Sequence, residues 1–224
     1  MSAAVESLNV REIVPRSNLD FDLQSDDIPK HWLGGDPFKS RFFDAMSTLF
    51  PDGERFFIQC VRDFREEITD PKLQAQVKDF IFQEAQHGKV HTDFNDRLHR
   101  QGIDVPKIIA GQMKLLNWYR AKTPRTYTLG ITAAAEHMTA LMAHFFLENP
   151  ELFEDADPRI RAMYFWHAIE EIEHKAVAFD VMRDVAKVGY FQRCLAMINL
   201  SVSFPLHVML ITKAMLKRDG YSGA

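Results

Sequence analysis

The chain has 224 residues, with 27 Lys and Arg against 31 Asp and Glu for a formal charge of −4. That balance leaves no basic footprint for nucleic acid, and a hydrophobic share of 46% suffices for one large domain with a substantial core. Cys60 and Cys194 stand outside any metal-type spacing, which argues against a disulfide framework or a zinc ribbon and fits a reducing compartment.

The N-terminus lacks the basic-then-apolar layout of a secretory signal, so a cytoplasmic protein is the default expectation. Residues 1–35 mix charges with Pro15, Pro29 and Gly34-Gly35 and show no helical periodicity; they read as an extended arm with a short strand at 10–14. Helix after helix follows. Three starts pair a cap residue with a proline, Asp70-Pro71, Thr123-Pro124 and Asp157-Pro158, and open long helices at about 71–100, 124–148 and 158–187. Shorter helices are expected at about 37–49, 52–69 and 105–121, with stops at Gly102 and Gly189. With no alternating strand pattern, the fold class is all-α: a helix bundle over 36–189 carrying an N-terminal arm.

A last helix at about 190–217 differs in character. From Cys194 through Thr212 there is no Lys, Arg, Asp or Glu. The length is borderline for a bilayer, and Asn199, Pro205 and His207 dilute it. For 190–224 three readings stay open: an apolar helix on the bundle and kinked at Pro205, a homodimer partner, or a membrane-surface or membrane-inserted segment.

Two stretches each carry Glu-x-x-His: Glu84-Ala85-Gln86-His87 and Glu171-Ile172-Glu173-His174, with His167 one turn before the second. Positions three and four apart share a helix face, so Glu84 pairs with His87, and His167, Glu171 and His174 form one stripe about 60° wide. Paired motifs of this kind, with one Glu from each of two further helices, are the ligand set of two-metal carboxylate bundles of the ferritin-like class. Glu136, in a run rich in alanine, would be costly to bury without a cation. Glu54 opens an apolar helix and can point inward from its first turn; Glu66 and Glu67 rival it but follow a charged run. The expected metal ligands from this pattern are Glu54, Glu84, His87, Glu136, Glu171 and His174, with His167 in register beside them. Glu170 and His91 lie near the two stripes and serve as supporting partners or as an acid and base, while Glu173 should face away. Ala133, Ala134 and Ala135 leave room beside Glu136 for a substrate or dioxygen.

The segments from Trp32-Leu33-Gly34-Gly35-Asp36-Pro37 through Phe50-Pro51-Asp52-Gly53-Glu54 and Gln83–His87 to Trp166-His167 and Glu170–Lys175 resemble a bacterial family labelled "predicted metal-dependent hydrolase". Separately, the pattern His167-x-x-x-Glu171-x-x-His174, with Glu84-x-x-His87 and two single acids, is similar to that of di-iron arylamine N-oxygenases. This second resemblance implies that His167 is an additional iron ligand and that the site binds dioxygen.

Three functions compete. The first is a di-iron oxygenase or oxidase, two Fe ions (Mn or Zn as alternatives) using dioxygen and an electron donor on a small-molecule substrate. The second is a hydrolase with a metal-activated water, for which Glu170 and His91 would supply acid and base. The third is a non-catalytic metal-binding bundle.

Overall fold

A computed structural model describes residues 12–221. Seven α-helices make up this part: α1 Pro37–Arg62, α2 Pro71–Arg100, α3 Val105–Lys122, α4 Arg125–Glu148, α5 Pro158–His174, the single turn α6 Val177–Asp180, and α7 Tyr190–Arg218. Among the described residues there is no β-strand, only an isolated bridge between Leu33 and Ala156. Residues 10 and 11 of the expected strand lie outside the described part, and 12–14 form no strand. The protein is thus an all-α bundle in a ferritin-like arrangement, with an apolar C-terminal helix.

Helix ends follow local capping chemistry. Asp70 and Asp157 each accept a backbone N–H through the side chain, at Lys72 and Arg159. Thr123 does not cap α4: its hydroxyl donates to the Tyr119 carbonyl and closes α3, leaving Pro124 as the α4 cap residue. Gly102, at φ 91°, ends α2 as expected. Gly189 ends no helix and instead caps the start of α7; the left-handed residue after α6 is Lys187, at φ 50°. The expected helix at 158–187 breaks beyond His174 and finishes as α6 and a π-turn at Val181–Val185.

The largest departure is α1, which is continuous where two helices separated before Pro51 were expected. Proline removes the N–H that the carbonyl four residues earlier would accept. That carbonyl belongs to Ser47, and it accepts instead from Asn95 Nδ2 on α2 at 2.9 Å. Glu54 consequently sits in the interior of a 26-residue helix rather than in a first turn.

The arm supplies core as well as cover. Leu23, Ile28, Trp32 and Leu33 are buried, and the Trp32 indole N–H donates to Asp44 while its ring stacks on Tyr164. At the other end, Asp219 binds the buried Arg41 of α1 together with Lys30 and His31. Helix α7 packs on α1 and α4. A Cβ on Gly130 would stand 3.2 Å from that of Ala196, so the α4–α7 approach uses the missing side chain. The opposite face of α7, with Phe191, Leu195, Ile198, Val202 and Leu206, is exposed. By length and composition this helix could cross a membrane.

Candidate metal centre

Four long helices deliver the donors. Glu54 comes from α1, Glu84 and His87 from α2, Glu136 from α4, and His167, Glu171 and His174 from α5. Each of the seven is buried. They form two groups, Glu54 with His87 and His167, and Glu84 with Glu171 and His174; within each, one donor atom per residue lies within 4.8 Å of the others. Glu136 joins the second, its Oε2 3.3 Å from His174 Nε2. Glu171 stands between the groups: its Oε1 is 2.9 Å from His167 Nε2 and 3.6 Å from both His87 Nδ1 and His174 Nε2.

A missing side chain makes room for one of these carboxylates. Gly88 follows His87 on α2, and a Cβ there would meet Glu54 Oε2 at 3.2 Å and the Pro51 backbone at 3.8 Å.

Around the donors a set of hydrogen bonds fixes which imidazole nitrogen faces inward. His87 Nε2 lies 3.0 Å from Glu170 Oε2, a carboxylate that only accepts when ionised, so Nε2 carries the proton and Nδ1 points inward as a lone pair. Gln83 spends its amide N–H groups on Glu173 and the Val14 carbonyl, leaving its Oε1 to accept from His174 Nδ1 at 2.9 Å. For His167 the chain is longer. Asn95 donates to the Ser47 carbonyl and accepts the Ser47 hydroxyl proton; Ser47 Oγ then accepts from His91 Nδ1, and His91 Nε2 accepts from His167 Nδ1 at 2.7 Å. The inward nitrogens, His87 Nδ1, His167 Nε2 and His174 Nε2, thus all face the carboxylates, and a metal would take the place of any proton they carry there.

These donors fit divalent cations. Both oxygens of Glu54 and of Glu84, Oε2 of Glu136 and Glu171, Nδ1 of His87 and Nε2 of His174 are buried without a hydrogen-bond partner. Buried polar atoms of this kind are normally paired, and cations would satisfy them together. Electrostatics point the same way. Burial and the neighbouring carboxylates Glu84, Glu171 and Glu136 hold Glu54 well above the carboxylate range. Burial, then Glu136, does the same to Glu84, and burial lifts Glu136 to about 7. Burial opposes the charge on Glu171 too, but contacts with His167 and His174 outweigh it and keep that carboxylate ionised. Burial disfavours a proton on His174, yet Glu136, Glu171 and Glu84 around it raise its affinity well above the usual range. Without metal, a proton on His174 stands where a cation would neutralise the same charge.

The remaining acids are sorted by position. His91 and Glu170 touch the outer nitrogens of His167 and His87. Glu173 faces off the centre, as expected, and accepts from the Val14 backbone and Arg16. Glu66 and Glu67 are exposed in a 3-10 turn beyond α1. Ala135 lines a cavity beside the centre, whereas Ala133 and Ala134 line a separate hollow toward α7. Sequence reasoning did not find Arg16, Ser47, Gln83, Gly88 or Asn95, whose partners lie on other segments.

The all-α bundle encloses two His and Glu clusters able to chelate divalent metal ions, an arrangement consistent with a di-metal enzyme. Residues 15–224 match the model of one family, and the chain belongs to it: "Predicted metal-dependent hydrolase". Comparison with curated proteins and with solved structures gave no match.

Proposed function

We propose that the protein is a di-iron enzyme that uses dioxygen to oxidise a small organic molecule, with Glu54, Glu84, His87, Glu136, His167, Glu171 and His174 as its ligands. The observation that carries this reading is the placement of the two groups that a hydrolase could have used as a separate acid and base. His91 and Glu170 are each committed to the outer nitrogen of an imidazole, at 2.7 and 3.0 Å, and so act as positioning residues. Two Fe(II) ions would supply two electrons to dioxygen, which side chains cannot provide, and an external electron donor would return the irons to Fe(II) after each turnover. The chain contributes hard oxygen and imidazole donors suited to Fe(II) or Mn(II). Glu171 Oε1 lies 3.6 Å from a histidine nitrogen in each group, and the void beside it is lined mainly by apolar side chains. His167, one turn before Glu171-x-x-His174, supports the likeness to the arylamine N-oxygenase pattern.

The family description favours a second reading, hydrolysis by a metal-activated water. Stopped-flow absorption separates the two. Iron-loaded, anaerobically reduced protein mixed with oxygen should develop a transient visible band and consume oxygen, and Glu84→Ala and Glu171→Ala should abolish both. Inertness to oxygen, together with anaerobic cleavage of esters or amides by the zinc form, would establish hydrolysis instead. Stoichiometric metal uptake with neither activity would leave a metal-binding bundle.

A further inference from the structure

A cavity of about 120 Å³ lies between α1, α3, α4 and α7. Its walls include Phe50, Phe56, Leu116, Ile131, Ala135 and Met138, and no Lys, Arg, Asp or Glu is among its lining residues. The cavity is beside the metal centre. Gly53 and Ala135, next to Glu54 and Glu136 in the chain, line it, and Phe50 and Thr139 also line a smaller void of about 30 Å³ that His167 and Glu171 face. The Phe50 ring stands 5.1 Å from that of His167.

Most polar groups on the cavity wall are already engaged. Tyr119 and Asn199 bond each other, Thr139 donates to the Ala135 and Glu136 carbonyls, and His207 Nδ1 faces the Ser203 carbonyl. Gln112 is different. Its Nε2 donates to the Leu49 carbonyl, which fixes the amide orientation, and its Oε1 is buried with no partner. A buried acceptor left unmade costs about 1–3 kcal/mol, so it marks the place where a ligand donor would sit.

We infer that this cavity is the substrate site of the proposed oxidation, and that it takes an uncharged, ring-sized apolar molecule presenting one N–H or O–H to Gln112 Oε1. The inference rests on the proposed reading for the reaction, but its geometry is independent of which chemistry follows. Size supports the class, since an apolar cavity of about 150 Å³ accommodates benzene. With no Lys, Arg, Asp or Glu in the lining and His207 turned by its Nδ1 to the Ser203 carbonyl, the wall disfavours carboxylates, phosphates and ammonium ions, whose desolvation is costly without a counter-charge.

The test is binding, measured on the full-length zinc-loaded protein, which cannot reduce oxygen. Phenol, toluene and benzoate are titrated by NMR, and Gln112→Met and Ile131→Phe are compared with wild type after thermal melts confirm folding. Phenol and toluene should bind, benzoate should not, and Ile131→Phe should weaken both ligands by crowding the cavity. In Gln112→Met the phenol-to-toluene affinity ratio should fall by roughly 3–10-fold, the worth of one neutral hydrogen bond. An unchanged ratio, or tight benzoate binding, overturns the assignment. Because no turnover is read, binding with the expected discrimination in a protein inert to oxygen would sink the oxidation and keep the site. Oxygen-dependent activity without this discrimination would do the reverse.

Discussion

Arg16 Nη1 lies 3.0 Å from Glu170 Oε1, and the other oxygen of that carboxylate lies 3.0 Å from His87 Nε2. The N-terminal arm is thereby connected to an inner imidazole through a single side chain. Arg16 also binds Glu173, which accepts from Gln83, and Gln83 in turn orients His174. One guanidinium therefore braces two histidines in different clusters.

Arg16→Ala should weaken metal binding without unfolding the bundle. Partners behind a metal-binding histidine are commonly worth 10–100-fold in affinity, and competition with a chelator would read that loss. Arg16→Lys should restore only part of it, because a point charge cannot bridge Glu170 and Glu173 as the planar fork does. Unaltered affinity in Arg16→Ala would show that the arm merely covers the site.

His167 and His91 are expected to separate in effect. His167→Ala removes a donor that faces Glu54 and Glu171, and elemental analysis should show loss of metal from the Glu54 and His87 side. His91→Ala leaves the donor in place and removes only its 2.7 Å brace, so metal content should fall less. Equal losses, or none from His167→Ala, would remove His167 from the ligand set.

Metal-free protein should lose stability as pH rises above about 6.5. Glu54, Glu84 and Glu136 keep protons in the folded state that the unfolded chain releases near 4.5, and His174 keeps one beyond 6.5. Each such group stabilises the fold fully below its unfolded value and loses that contribution as pH rises from there to its folded-state value, a loss that for Glu136 is complete near 7. Burial drives His87 and His91 the opposite way, but their opposing contribution is complete once the unfolded histidines are neutral, above 6.5. Glu171, held low, is ionised in both states throughout this range. Melting temperatures of the metal-free form should therefore fall most steeply as pH rises past about 6.5, where His174 joins the carboxylates and the opposing histidines have finished, and bound metal should flatten or reverse the trend. A rising melting temperature without metal would contradict the charge balance drawn for the centre.

Gly88→Ala should displace the Glu54 carboxylate, because the added methyl would meet Oε2 at 3.2 Å. Loss of metal from the His87 and His167 group, with the helical circular dichroism signal retained, is the expected result. Full metal content would show that Glu54 has room to move aside.

The amino-acid order alone determined the helical stripes of the centre. Glu84 with His87, and His167 with Glu171 and His174, share faces because a helix repeats every 3.6 residues, a local rule that needs no tertiary information. The Asp-Pro starts of α2 and α5 were legible for the same reason, since a cap forms within one turn. Pro51 marks where local reasoning ran out: it signals a break, and α1 runs through it because Asn95, on another helix, takes the freed Ser47 carbonyl. That decision put Glu54 mid-helix, opposite the gap at Gly88. Which nitrogen each histidine presents, and how the seven donors divide around Glu171, were likewise decided by partners distant in sequence, such as Arg16 with Glu170 and Ser47 with His91. Helix periodicity sets the direction of a side chain within its own turn, while the distance between two side chains on different helices is set by packing that no local pattern encodes.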